Sequence, residues 1–166
     1  LNRQAMIKTK TAWNLALLYK DNKDPEIEQD LHKIESACKT FEKKYKGKAF
    51  TLSHKALAES LHDREKLSLV MNGNKPWWYF ALKTDLNSGD NASSALATKY
   101  EQRITEATNR ISFFDLDIAK IPQQDQQNYL KDPILEPYRY QLTLIFRQSA
   151  FNLSEGEEQL ENLLSQ

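Results

Sequence analysis

The sequence predicts an all-α fold, an irregular bundle of about six or seven helices. Apolar residues recur at helical steps of three and four over most of the chain. Capping residues, prolines and turn sequences bound these segments. No segment reads as a strand that has a second strand to pair with it. The 166 residues, of which 40% are hydrophobic, are enough to bury a core without a metal ion or a disulfide.

The chain divides into a lead-in segment over residues 1–23 and a helical domain over residues 24–166. Asp24 can cap the first helix of this domain, and Pro25 suits the first helical position. Gly47 can end the helix. One helix face between them is apolar, with hydrophobic residues at Ile27, Leu31, Ile34, Cys38, Phe41 and Tyr45.

Two further helices are predicted before residue 87. Ser53 can cap a second helix that runs to about Val70, although its apolar residues do not share one face. Residues 72–76 then form a strong helix breaker. The apolar run at 77–82 could be a buried strand on length alone, but it has no partner strand. We therefore predict a third helix over residues 77–86.

The longest helical pattern covers residues 91–121 and predicts one helix roughly 45 Å long. It should end before Pro122, since the residue preceding a proline disfavours the helical conformation. Its apolar stripe consists of Leu96, Tyr100, Ile104, Ala107, Ile111, Phe114, Ile118 and Ile121.

Three shorter helical patterns follow the long one. A short helix is predicted over residues 123–131, after which Asp132-Pro133 forms a break. Ser154 and Glu157 match a capping box at the start of the last one. Between the short helix at 123–131 and this last helix, an amphipathic helix is marked by Leu135, Tyr138, Leu142 and Ile145.

Composition limits the class of protein. Lysine plus arginine (23) equals aspartate plus glutamate (23), whereas nucleic-acid binders usually carry a basic excess. No apolar run approaches the roughly 20 residues that span a membrane, and residues 1–10 lack the apolar core of a signal peptide. Cys38 is the only cysteine and lies on an apolar stripe, so we expect a buried thiol in a cytoplasmic protein.

Both ends of the chain suggest a piece of a longer protein. The sequence starts at Leu1 rather than at a methionine. It stops within an apolar-periodic stretch at residues 163–166, without a helix stop signal. We expect apolar surface meant for the missing part to be exposed, including Trp77 or Trp78. The other residues expected to be exposed are Leu160, Leu163 and Leu164.

The sequence contains no convincing catalytic or metal-binding arrangement. The histidines are His32, His54 and His62, and none lies in a His-Glu-x-x-His motif. Asp115 and Asp117 point about 200° apart on a helix and are expected on a solvated face. The four glycines form no phosphate loop, and no serine lies in a Gly-x-Ser-x-Gly motif. We predict no catalytic residue and no metal ligand, and binding residues stay unassigned.

Four consecutive aromatic residues, 77–80, are the one feature with binding potential. Successive residues point in different directions around a helix, so some of these rings should lie off the buried face. Tryptophan and tyrosine combine an apolar body with a polar tip, which suits peptide contacts. The alternative, which the pattern favours, is packing against another helix or a missing domain.

Four segments, in order, resemble the amino-terminal region of the oligoendopeptidase F family, zinc metallopeptidases related to thimet oligopeptidase. Residues 13–19 (WNLALLY) are similar to the family's Trp-Asp-Leu-x-x-Leu-Tyr opening, with Asn14 in place of aspartate. Residues 111–119 (ISFFDLDIA) resemble the Phe-Phe-Glu-Leu-Glu segment that ends the family's long helix. Phe151 stands near the place of a histidine often seen in the family. The remaining similar residues are Asp132-Pro133, Leu135, Tyr138-Arg139 and Leu142, and then Leu153-Ser154-Glu155 and Glu157-Glu158.

The resemblance implies a longer helical protein with two lobes around a deep channel. The family's zinc site lies in the carboxy-terminal lobe, on a His-Glu-x-x-His helix plus a later glutamate, and none of these residues has a counterpart here. The implied role of this chain is non-catalytic: it walls the channel and limits access to short, unfolded peptides. Its implied partners are the missing carboxy-terminal catalytic domain and the peptides that pass through the channel.

Two other hypotheses stay open at this point. The chain could be a stand-alone helical adaptor or scaffold that binds a partner helix on the stripe of residues 91–121. It could also form an oligomeric coiled coil on the same residues, although Phe113 and Leu116 broaden the stripe beyond a narrow seam.

Overall fold

A computed structural model describes residues 13–149, and in that range the protein is helical with no strand, which confirms the predicted class. Short 3-10 turns lie at Leu15–Leu17 and Pro133–Tyr138. A last helix, α7, occupies residues 139–149 as far as the description reaches. The other helices are α1 (Pro25–Tyr45), α2 (His54–Asn72), α3 (Lys75–Leu86), α4 (Asn91–Asn109), α5 (Phe113–Ala119) and α6 (Gln123–Lys131).

Helix α1 forms as its sequence predicts. Asp24 Oδ1 accepts a hydrogen bond from the Glu26 N–H at 3.0 Å, which satisfies one of the free donors of the first turn. All six apolar residues of the predicted face are buried. The chain leaves the helix through Gly47 at φ +70°, a backbone conformation that suits glycine.

The predicted single helix over residues 91–121 is wrong, because the chain turns between Asn109 and Phe113. The N–H groups of residues 110, 111 and 112 bond three residues back instead of four, which tightens the chain into a turn. The Ser112 hydroxyl also donates to the Asn109 carbonyl at 2.9 Å. Thr105, Thr108 and Asn109 have weak helix propensity, which favours a break at this point.

The remaining boundaries differ from the prediction by small amounts. Helix α3 begins two residues before the predicted start, because Asn74 caps it and Pro76 occupies its first turn. Residues 123–131 form α6 as predicted. Pro137 keeps the segment after Pro133 in a 3-10 turn, so α7 starts only at residue 139. The predicted capping box at residues 154–157 lies outside the described residues, as do residues 1–12 of the lead-in.

The described core consists of two buried clusters that share α1. The larger cluster combines the carboxy-terminal half of α1 with α2, α5, α6 and the segment after it. Phe114 lies at its centre, stacked on Phe50 at 5.0 Å between ring centroids and edge-on to Phe41 at 5.2 Å. The smaller cluster contains Tyr19, Ile27, Leu31, Tyr79, Phe80 and Tyr100.

An arginine between two glutamates joins α4 to α1. Arg103 Nε and Nη2 donate to the two carboxylate oxygens of Glu35 at 2.8 and 3.1 Å, and Nη1 donates to Glu28 at 2.6 Å. Such a two-pronged pairing fixes the orientation of the partners as well as their distance. The contact therefore adds to the buried packing that holds α4 against α1.

Residues 13–149 contain the helices α1 to α7. No helix in this range has both the length and the apolar character needed to cross a bilayer.

Candidate functional site

The four consecutive aromatics of α3 divide between core and surface. Tyr79 and Phe80 are buried in the smaller cluster, whereas Trp77 and Trp78 are 39% and 52% exposed. The two indole rings contact each other edge to face at 4.7 Å between centroids. The predicted exposure of these tryptophans is confirmed, and the structure assigns the packing role to the other two rings.

Two more apolar residues are exposed close to this pair in the chain. Leu69 and Val70 lie in the last turn of α2, and only Gly73 and Asn74 separate that helix from α3. Residues 69–78 therefore present four large exposed apolar side chains around one helix corner, which we call the apolar corner. A concentration of exposed apolar residues is typical of an interaction surface.

The lead-in segment is anchored by part of its family-like motif. Leu15 and Leu18 pack against the smaller cluster, and the buried Tyr19 hydroxyl donates to Asp30 Oδ2 at 2.9 Å. Trp13 and Leu17 are exposed instead. The motif therefore fixes the chain on α1 and α3 while leaving a second apolar surface uncovered in the described part of the protein.

A polar cleft lies on a different part of the surface, with a volume of about 820 Å³. One wall is the loop at 47–52, which connects α1 to α2, and the other is α6. Asp117 and Lys120, at the end of α5, also line it, as do His54, Ile121 and Pro122. We call this feature the polar cleft.

His54 is one of the lining residues of the polar cleft, and two contacts hold its ring in place. Its Nδ1 lies 2.5 Å from Asp132 Oδ2, and its ring meets the Tyr129 ring at 4.2 Å between centroids. Asp132 also accepts a hydrogen bond from the Ile134 N–H at 2.9 Å. The hydrogen bond from His54, followed by the one from the Ile134 amide, lowers the pKa of the Asp132 carboxyl.

Sequence reasoning missed the contact between His54 and Asp132, because 78 positions separate them. The sequence pointed to Asp132 as part of a helix break and of a family-like segment, and to His54 only as a histidine outside a zinc-binding motif. His54 is the first residue of α2, and Asp132 lies between α6 and the 3-10 turn at Pro133–Tyr138.

The other residues considered from the sequence lie apart from one another. His32 pairs with Glu35 within α1, and His62 pairs with Glu65 within α2. In the range 13–149, no three His, Cys, Asp or Glu side chains are grouped so that they could hold a metal ion. Cys38 is fully buried as predicted, and burial raises the pKa of its thiol.

The two aspartates of α5 are placed differently from each other. Asp115 is exposed, as expected for a solvated face. Asp117 is half-buried and accepts a hydrogen bond from Lys120 at 2.7 Å in the lining of the polar cleft.

The later family-like residues make contacts that join distant segments. The Tyr138 hydroxyl donates to Glu65 on α2 at 3.0 Å, and Arg139 Nε donates to the Leu130 carbonyl at 2.9 Å. Leu135 and Leu142 are buried in the larger cluster. These residues therefore dock the carboxy-terminal part of the described chain onto α2 and α6.

Comparison with known proteins finds a family model that matches part of the chain. The model for the amino-terminal domain of M3 peptidases, described as Oligopeptidase F, matches residues 117–166. No curated protein and no solved structure matches the chain significantly. The matched range begins in α5 and includes α6, the 3-10 turn and α7.

Proposed function

We propose that this chain, part of an amino-terminal domain of the oligoendopeptidase F family, is the non-catalytic region of a zinc metalloendopeptidase that hydrolyses short oligopeptides. The observation that carries the proposal is the family match at residues 117–166, which covers the last two of the four family-like segments. In this role the helical domain walls a substrate channel and restricts access to it. The protein acts in the cytoplasm.

The exposed apolar surfaces support a role beside another domain. The apolar corner and the uncovered side of the lead-in, with Trp13 and Leu17, present large hydrophobic side chains to solvent. Surfaces of this kind are costly to leave in water and are used in domain contacts. The proposed occupant is the carboxy-terminal catalytic domain of the same protein, and the proposed ligands of the channel are short peptides.

The zinc ion of such an enzyme would not be held by this part of the chain. The described residues supply no group that fits the ion, and the histidines at 32, 54 and 62 do not form the metal-binding motif. We therefore derive no catalytic step from these residues.

Sequencing the gene beyond Gln166 is the first test of this proposal. A His-Glu-x-x-His motif about two hundred residues downstream is expected. A stop codon directly after residue 166 would contradict the proposal. A second test incubates the chain alone with zinc and a short peptide, and turnover would contradict a non-catalytic role.

A test of the proposed channel requires the full-length protein. If the amino-terminal region restricts access, the enzyme should cleave a peptide of about eight residues but spare an unfolded chain of about 60 residues carrying the same cleavage site. Equal cleavage of both substrates, compared by mass spectrometry, would count against the proposed wall.

A stand-alone interaction domain is the second candidate, and the apolar corner is the observation that favours it. The adaptor hypothesis placed the partner helix on the stripe of residues 91–121. Tyr100, Ala107, Ile111 and Phe114 from this stripe are buried within the two clusters, so a partner would have to use the apolar corner instead. The same burial disfavours a coiled coil on the stripe, and a concentration-dependent dimer in analytical ultracentrifugation would revive it.

A further inference from the structure

We propose that the polar cleft binds a small zwitterion whose ammonium and carboxylate groups are several bonds apart. The proposal goes beyond the channel-wall function and concerns a different surface from the apolar corner. It depends on the size of the cleft, its base and the charges that line it.

The size and base of the cleft suit a small organic ligand. Its volume of about 820 Å³ falls within the roughly 300–1,000 Å³ of typical ligand sites. Ile121 and Tyr129 line it and are buried, which gives the base an apolar character. The Tyr129 hydroxyl donates to the Thr51 carbonyl at 2.6 Å, so a hydrogen bond joins the two walls.

The charges that line the cleft decide the class of ligand. Lys120 and Asp117 neutralise each other in a 2.7 Å ion pair. Lys48 and Asp125 also line the cleft, and neither forms an ion pair or a side-chain hydrogen bond with the residues that the structure describes. The lining therefore offers one ammonium and one carboxylate with no net charge. A purely anionic or cationic ligand would satisfy one of them and repel the other, whereas a zwitterion satisfies both.

The position of the two charges favours a ligand with separated ends. Lys48 belongs to the loop wall, and Asp125 lies in the first turn of α6 on the other wall. Asn128 lies three residues after Asp125, on the same side of α6, and also lines the cleft. Its amide is a further hydrogen-bonding group for a ligand that reaches from one wall to the other. ω-Amino acids and short peptides share this chemistry.

The test titrates the whole 166-residue chain with 6-aminohexanoate and, separately, with trialanine. Backbone amide NMR monitors the binding of each probe. Saturable shifts are expected at Gly47, Lys48 and Asp125 in the millimolar range. N-acetylated and carboxamide analogues of each probe should bind roughly two- to fivefold more weakly, as expected for the loss of one exposed ion pair. Binding of trialanine alone would identify a peptide as the ligand, and binding of both would identify the shared zwitterion.

Two variants assign the ends of the ligand. Lys48→Met should abolish the preference for the free carboxylate over the carboxamide, and Asp125→Asn should abolish the preference for the free amine over the acetylated probe. Lys39→Met and Asp85→Asn, exposed charges outside the cleft, are the matched controls and should keep both preferences. Thermal unfolding followed by circular dichroism checks that all four variants are folded.

Either of two results would overturn the proposal. One is the absence of saturable shifts at the cleft with both probes. The other is equal affinity for the free and blocked forms in the unchanged chain.

Discussion

Replacing Arg103 with methionine should weaken the fold in a way that depends on pH. Methionine keeps most of the apolar stem but removes the three hydrogen bonds to Glu28 and Glu35. Hydrogen bonds to charged groups contribute about 1.5–3 kcal/mol when protected from water, and exposed ion pairs about 0–1 kcal/mol. The arginine side chain is 21% exposed and its partners 46% and 31%. We therefore expect a loss of about 1–2 kcal/mol in the free energy of unfolding at neutral pH.

The sign of the pH dependence follows from the two glutamates. Hydrogen bonding to Arg103 lowers the pKa of Glu28 and of Glu35 below the ordinary value of 4.5. A carboxyl whose pKa is lowered by folding stabilises the protein above the unfolded value, and this stabilisation is lost as the pH falls through the folded value. The difference between the unchanged chain and Arg103→Met should therefore be full at pH 7 and should shrink steadily below about pH 4.5.

Urea unfolding followed by circular dichroism at several pH values measures this difference. Arg110→Met is the matched control, since Arg110 makes one exposed contact, to Glu42 at 3.1 Å. It should cause a smaller loss than Arg103→Met. A loss for Arg103→Met that stays constant from pH 7 to about pH 3 would refute the reasoning, because it would show that lost packing rather than the ion pairs weakens the fold.

Three further predictions concern burial and backbone conformation, and urea unfolding measures the first and the last. Phe114→Ala should lower the free energy of unfolding by about 3–5 kcal/mol, because its ring is buried. Leu116, on the same helix, is 61% exposed, and Leu116→Ala should cost no more than about 0.5 kcal/mol. Similar losses for the two variants would contradict the burial pattern. Cys38, buried with a raised pKa, should react with a thiol reagent only as fast as the protein unfolds; rapid labelling in buffer would show an accessible thiolate. Gly47→Ala should cost about 1–2 kcal/mol, because glycine holds φ +70° there, whereas Gly89→Ala should cost far less; equal costs would argue against that conformation.

Strong local signals explain which parts of the fold could be predicted. In α1 the cap, the proline, the apolar period and the closing glycine all agree, and all six residues of the predicted face are buried. The break after Asn109 could not be found in the same way. The spacing from Ala107 to Ile111 and Phe114 continues through the turn with its apolar side still inward. Hydrophobic periodicity reports which side is buried, and it does not report whether the backbone bonds stay helical.

The candidate sites could be predicted only where their residues lie close together in the sequence. Four adjacent aromatics must point in different directions around a helix, so exposure of part of the cluster followed from geometry, and Trp77 and Trp78 are the exposed pair. The polar cleft draws on the loop after α1, the ends of α2 and α5, and α6. The contact between His54, which lines the cleft, and Asp132 depends on how these elements pack. No short-range sequence pattern encodes that packing.

The apolar corner also differs from the polar cleft in the packing that supports it. Helix α3 is held through Tyr79 and Phe80 in a cluster of six buried residues, whereas α5 and α6 contribute to a described cluster of 18. A smaller apolar cluster contributes less to stability, so the segment that carries Trp77 and Trp78 should open more readily than α5 and α6 in the larger cluster. A partner that binds only the closed form stabilises it by mass action, by about 2.7 kcal/mol at a hundred times its dissociation constant. Covering the apolar corner would therefore also stabilise the helix beneath it, whether the partner is a catalytic domain of the same protein or a separate chain.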